Sequence, residues 1–256
     1  MNPNLLPVAA CPPDWPATAP DLRGRVLLVL GANGGLGQAF ARAAAAAGAE
    51  LVLAGRRVAA LERLYDELEA SGAKVGLYPL NLAGAAPQDY AELADRLRAE
   101  CGGLDGVVFA SAHLRGLSSV EHTPAEDWLT ALHVNLAAPL LLVQALLPLL
   151  RLRSDAAIVL AINGPQACGR AYWGGYGVAQ AGLAQLAAIL ADELERTCVR
   201  VHGFDPGPMR TGLRQRVWFS EDPSTVPGPE RAAHALAALV GADGGRWRGQ
   251  LLRLEV

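Results

Sequence analysis

The chain predicts a single α/β domain built on a doubly wound parallel sheet, and three observations carry that expectation. Leucine-rich and β-branched runs alternate with helical stretches from Arg25 onward, the pattern of a parallel sheet covered by helices on both faces. The first run, Arg25-Val26-Leu27-Leu28-Val29-Leu30, passes through the glycine turn Gly31-Ala32-Asn33-Gly34-Gly35-Leu36-Gly37 into an alanine-rich helix stopped by Gly48. Finally, 256 residues, 52% apolar and 18% charged, are enough for one large core and too apolar for a disordered chain.

Each element then follows. Glu50 to Ala54 is the second strand, and Gly55-Arg56-Arg57 leads into an amphipathic helix through Glu69. Lys74 to Tyr78 is a third strand, followed by Asn81-Leu82 and a helix to Cys101. Asp105 to Ala110 is the fourth, opening on Ser111-Ala112-His113. A long helix from Pro124 to Leu150 carries Asn135 in its middle. Ala156 to Ile162 is the fifth strand, a helix lies within Ala171 to Arg196, and Val199 to Phe204 is the sixth. A helix near Pro229 to Val240 precedes a last strand, Gln250 to Leu254. Residues 1–20, with Pro3, Pro7, Pro12, Pro13, Pro16 and Pro20, read as an extended arm or a disordered lead-in; residues 21–256 are the domain.

In open α/β sheets the ligand sits at the carboxyl ends of the strands. The glycine turn, Arg56, Asn81, Ser111 to His113, Asn163-Gly164 and Asp205-Pro206-Gly207 all fall at that edge. Strand, glycine turn and helix start together present amides and a favourable dipole to a phosphate. Gly31 permits the tight turn, Gly35 lets a pyrophosphate approach, and Gly37 lets the helix lie close to the strand. The plainer alternative is a strand–helix turn that binds nothing.

Composition narrows the rest. A net charge of −3 gives no electrostatic reason for a nucleic acid or membrane partner. Cys11, Cys101, Cys168 and Cys198 are far apart, and the five histidines show no ligand spacing, so neither a disulfide framework nor a metal is expected. Met1 to Pro20 lacks the pattern of a signal peptide. The greasy stretch Leu136 to Leu150, interrupted by Pro139, Gln144 and Pro148, reads as too short to span a bilayer. A cytoplasmic protein is the expectation.

The glycine spacing G-x-x-x-G-x-G, Asn135, Tyr176 at a helix start and Pro206-Gly207-Pro208-Met209-Arg210-Thr211 together resemble the short-chain dehydrogenase/reductase family, from about Asp21 to the end. The resemblance implies a Rossmann fold of about seven strands in the order 3-2-1-4-5-6-7. It implies a dinucleotide held by Gly31, Asn33, Gly35, Leu36, Gly37, Arg56, Asn81, Leu82, Ala110, Pro206, Gly207 and Thr211, with Tyr176 and Gln180 at its nicotinamide end. The family's Asp after the second strand, which selects NAD, is replaced by Ala54-Gly55-Arg56-Arg57; a guanidinium forks onto a phosphate, so NADP is expected. Thr211 would face the carboxamide or cap a helix. The catalytic set implied is Tyr176, Asn135, Asn163 and Gln180.

Here the chain departs from the family pattern. Gln180 stands where the family's Lys lowers the phenol pKa. There is no Ser or Thr from Asp155 to Gly175, so Asn163 or Gly164 takes the place of the carbonyl-orienting Ser. Lys74 is the chain's one lysine among many arginines, so drift in composition would have given Arg rather than Gln. Two readings follow: a weak or atypical NADP-dependent carbonyl reductase with neutral Tyr176 as donor, or a non-catalytic NADP-binding protein acting through binding. His113 is a candidate substitute acid. The expected partners are a small carbonyl or alcohol substrate and further copies of the chain, as homodimer or homotetramer. The oligomer is expected from the apolar surface of Leu140, Leu141, Leu142, Leu146, Leu147, Leu183, Leu186, Ile189 and Leu190.

Overall fold

The computed structural model describes residues 5–255. Its strands are β1 (Val8–Cys11), β2 (Val26–Leu30), β3 (Glu50–Gly55), β4 (Val75–Pro79), β5 (Gly106–Phe109), β6 (Ala156–Ala161), β7 (Val199–Asp205) and β8 (Leu251–Leu254). They form one sheet in the order β1-β8-β7-β6-β5-β2-β3-β4, and every pairing is parallel. From β2 onward this is the expected order, with one strand added at the edge.

Burial on both faces explains why the strand sequences run apolar without alternation. Val26, Leu28 and Leu30 face one core; Leu27 and Val29 face the other. The first core is closed by α3 (Pro87–Cys101), α5 (Ala138–Leu150) and α7 (Gly174–Glu193). The second is closed by α1 (Gly35–Ala46), α2 (Val58–Ala70) and α9 (Glu230–Val240). The other α-helices among the described residues are shorter: α4 (Ala125–Leu132), α6 (Pro165–Cys168) and α8 (Gly212–Val217).

The added strand is a correction. Part of the proline-rich segment read as an arm is β1, which pairs along β8 from Val8↔Leu251 to Cys11↔Leu254. An edge strand tolerates flanking prolines because only one side must donate: the Pro7 carbonyl accepts from Leu251 N at 2.9 Å, and Pro12-Pro13 ends the strand. Cys11 and Trp15 then enter the second core. Residues 1–4 lie outside the described residues.

The long helix expected from Pro124 to Leu150 exists, but it is not uniform. Between α4 and α5 the residues His133–Ala137 widen into a π-helical turn. Pro139 has no amide to offer one turn back, and the bulge sits at that gap. The whole run Ala125–Leu150, longer than the stretch Leu136 to Leu150 considered above, spans 26 residues and is long and apolar enough to cross a membrane by length and composition. Leu142, Val143, Leu146, Leu149 and Leu150 nevertheless pack into the first core.

The apolar surface named for an interface is also smaller than expected. Leu142, Leu146, Leu183 and Leu190 are buried within the protomer, because α5 and α7 lie flat on the sheet. Leu140 and Ile189 remain exposed, joined by Leu129 and Val178.

Candidate functional site

The glycine turn sits at the carboxyl end of β2, where the chain order reverses between β3 and β5. Gly31 N and Ala32 N both donate to Ala54 O, at 2.9 and 3.0 Å, tying the turn to β3. Gly31 has φ +82°, and a Cβ there would stand 2.6 Å from Ser111 Cα; only glycine fits. A Cβ on Gly37 would collide with the Gly31 carbonyl, so Gly37 secures the helix–strand approach and lies outside the cavity wall.

A cavity of about 830 Å³ runs along this edge. Its wall includes Gly31, Asn33, Gly35, Leu36, Arg56, Asn81, Leu82, Ala110, Asn163, Tyr176, Gln180, Pro206, Gly207 and Thr211. The structure therefore brings together all the expected residues except Gly37 and Asn135. At one end Arg56 is exposed and, among the described residues, has no hydrogen bond or ion pair, while Arg57 Nη2 donates to Asn33 O at 2.5 Å. Thr211 caps α8, accepting from Arg214 N at 3.3 Å, and its methyl leans over Gly35.

At the other end Tyr176, on the first turn of α7, is 4% exposed. Asn163 Nδ2 donates to its Oη at 2.7 Å, and Asn163 N donates to Gln180 Oε1 at 2.8 Å. Asn163 is thus held from both sides by one helix. Burial chiefly, with the Cys168 thiol and Asp205 nearby, pushes the Tyr176 phenol well above its ordinary range, against the pull of the Asn163 bond. Trp173 packs on Tyr176 and on Trp218, with centroids 5.8 and 5.5 Å apart. Leu114, Cys168 and Val217 complete this apolar cluster.

Asn135 does not line the cavity. Its amide clasps the His113 backbone, accepting from His113 N at 2.7 Å and donating to His113 O at 2.8 Å. The π-helical turn delivers that amide to the loop after β5, which explains a buried Asn inside a helix. His113 itself is at the wall, its pKa lowered by burial first and then by Arg56.

Several wall residues were not singled out from the sequence. Arg253 Nε pairs with Asp205 Oδ2 at 3.0 Å; its place at the carboxyl end of the last strand was a usable signal. Arg214 pairs with Glu221 through two 2.6 Å bonds and lies 4.9 Å over the Trp218 ring. Arg216 Nη1 donates to Leu114 O at 3.2 Å. These follow from the path of the loop after Thr211, which residue spacing does not fix. Among the described residues no group of His, Cys, Asp and Glu could hold a metal ion.

A parallel sheet with a glycine turn and a cavity at its switch point is a doubly wound α/β fold with its ligand crevice at the carboxyl edge. The family model described as short chain dehydrogenase matches residues 25–222. The chain belongs to the short-chain dehydrogenase/reductase family. It is 31% identical over 230 residues to the "uncharacterized oxidoreductase YciK" of Escherichia coli, covering 89% of this chain and 90% of that one. A solved structure described as a short chain dehydrogenase from Pseudomonas syringae is 40% identical, with TM-score 0.87 over 92% of this chain and 96% of that one. Another, from Shigella flexneri and complexed with NADP, is 28% identical, with TM-score 0.88 over 92% and 99%.

Proposed function

We propose that the protein is an NADP(H)-dependent carbonyl reductase of atypical catalytic composition, with Tyr176 as a neutral proton donor. The observation that carries this reading is the 2.7 Å bond from Asn163 Nδ2 to Tyr176 Oη. The phenol oxygen accepts there, so its own proton is left to donate into the cavity.

The fit to the cofactor rests on the chain's own residues. Gly31 and Gly37 leave backbone where side chains would collide, and Arg56, with no carboxylate partner among the described residues, offers a fork at the adenosine end of the cavity. The relative from Shigella flexneri complexed with NADP favours the same cofactor. Gly31, Asn33, Gly35 and Leu36 would hold the pyrophosphate, Arg56 the 2′-phosphate, Asn81 and Leu82 the adenine, and Ala110, Pro206, Gly207 and Thr211 the nicotinamide half. Bound there, the nicotinamide supplies hydride.

Tyr176 donates its Oη proton to the carbonyl oxygen as charge builds on that oxygen. Asn163 Nδ2 stabilises the phenolate left behind, and Gln180 fixes Asn163 through its backbone amide. No ammonium stands at position 180, and burial raises the phenol pKa, so the base needed for alcohol oxidation is scarce at neutral pH. Reduction suffers less, because it starts from the neutral phenol. General acid catalysis contributes roughly 10²- to 10⁴-fold, of which this arrangement keeps a part.

One observation favours the second reading, cofactor binding without turnover: Tyr176 lies beneath Trp173 and is 4% exposed. Repair separates the two. In the double variant Gln180→Lys, Asn163→Ser, NADPH oxidation should rise by orders of magnitude. Position 164 is unsuited to the added Ser, because a Cβ there would stand 2.9 Å from Asp205 Oδ2. A repaired protein that binds NADPH and stays inert, beside a wild type that is also inert, would favour binding without turnover.

A further inference from the structure

The protein carries a net charge of −3, yet the cavity wall has six arginines, Arg56, Arg57, Arg170, Arg214, Arg216 and Arg253, against one carboxylate, Asp205. A cleft of one sign set in a protein of the other concentrates and steers a charged ligand. The six do not all have the same task. Arg253 is neutralised by Asp205 and Arg214 by Glu221. Arg57 is committed to the Asn33 carbonyl of the glycine turn, and Arg56 stands beside it at the adenosine end.

Arg216 and Arg170 remain. Arg216 is held by one bond to the Leu114 carbonyl, with no carboxylate partner among the described residues. Leu114 belongs to the same apolar cluster as Tyr176, Trp173 and Val217, so Arg216 is anchored on the Tyr176 side of the cavity. Arg170 lies on the same wall three residues before Trp173, exposed and without an ion pair or side-chain hydrogen bond among the described residues. Two uncompensated guanidinium groups thus border an aromatic wall of Trp173 and Trp218 next to the proton donor.

We propose that the compartment beside Tyr176 takes a carbonyl compound with a flat apolar body and an anionic group, carboxylate or phosphate, recognised by Arg216 and Arg170. This rests on the reductase reading above and adds the substrate class to it. The body lies against the Trp173–Trp218 pair, and the anion meets the planar forks, which suit carboxylate and phosphate oxygens. Both arginines are exposed, so the contact rests on the forked geometry and weakens as salt rises. A neutral substrate of the same shape gains none of it.

The test compares 4-carboxybenzaldehyde and 4-formylphenyl phosphate with the uncharged methyl 4-formylbenzoate, as kcat/KM for NADPH oxidation. A parallel titration follows tryptophan fluorescence in the presence of NADP. Either anion should be preferred over the ester by roughly tenfold or more, the worth of a hydrogen bond between charged groups. In Arg216→Gln and in Arg170→Gln the preference should fall toward one, more completely in the double variant. Equal or better use of the ester by the wild type would overturn the proposal. So would an Arg216→Gln, Arg170→Gln protein that keeps the preference while losing NADPH affinity, since the two arginines would then serve the cofactor. If nothing is turned over but the anions bind more tightly than the ester, the anion compartment stands and the reductase reading falls.

Discussion

At the scale of single residues, the site depends on which groups are already engaged. Arg57 is tied to the glycine turn, whereas Arg56 has no hydrogen bond or ion pair among the described residues; that difference is why Arg56 is the one proposed to read a 2′-phosphate. Arg56→Ala should weaken NADPH binding by roughly 1.5–3 kcal/mol, the range for a hydrogen bond to a charged group, and leave NADH nearly unchanged. Equal losses in both titrations would show that Arg56 does not distinguish them. The glycine turn and Tyr176 were legible in the sequence because their chemistry is carried by residue type and local context. The Asn163–Tyr176 bond was not, since it joins a loop to a helix through a rotamer that no spacing encodes.

At the scale of elements, the long helix departs from regular structure where its Asn135 must reach a neighbouring loop. Its apolar run was readable, but the π-helical turn at His133–Ala137 was not, because one widened turn barely disturbs the periodicity. That turn positions Asn135, whose amide holds both backbone groups of His113. Asn135→Ala leaves those groups unpaired, at a cost of about 1–3 kcal/mol. Denaturant unfolding should register that loss, and NADPH oxidation should fall more than NADPH affinity, since the loop after β5 borders the Tyr176 end. Unchanged stability would mean that water replaces the amide without cost. The edge strand β1 was hidden for a different reason. Its partner β8 lies at the far end of the chain, and neighbouring prolines argue against a strand unless it sits at an edge.

At the scale of the whole molecule, the edge of the sheet opposite the cavity is held by charge. Arg200 makes two bonds to Asp155, at 2.7 and 3.1 Å, and donates to His202 Nε2 at 3.2 Å. His202 Nδ1 donates in turn to Trp247 O at 2.9 Å, so the ring is neutral. Burial first, then Arg200, lowers the His202 pKa to about 4 from its ordinary 6.5. The unfolded chain takes up that proton near pH 6.5 and the folded protein only near 4, so stability is full above this window and falls as pH drops through it. The loss should reach roughly 3 kcal/mol by pH ~4, and His202→Gln should flatten it; an identical pH profile in the variant would exclude His202 as the cause. The exposed apolar residues Leu129, Leu140, Val178 and Ile189 predict a homodimer or homotetramer. Sedimentation should give a multiple of the chain mass at micromolar concentration, and a monomer there would refute it.

The role proposed for Tyr176, oriented by Asn163, is to deliver the proton to a carbonyl oxygen. Its most direct test is NADPH oxidation by Tyr176→Phe beside the wild type, on one carbonyl substrate, with NADPH affinity measured for both. Slow turnover in the wild type, lost in Tyr176→Phe while NADPH still binds, is the expected result. A wild type that turns over at a rate unaffected by Tyr176→Phe would exclude Tyr176 as the donor and move the proton to another group of the wall, such as His113.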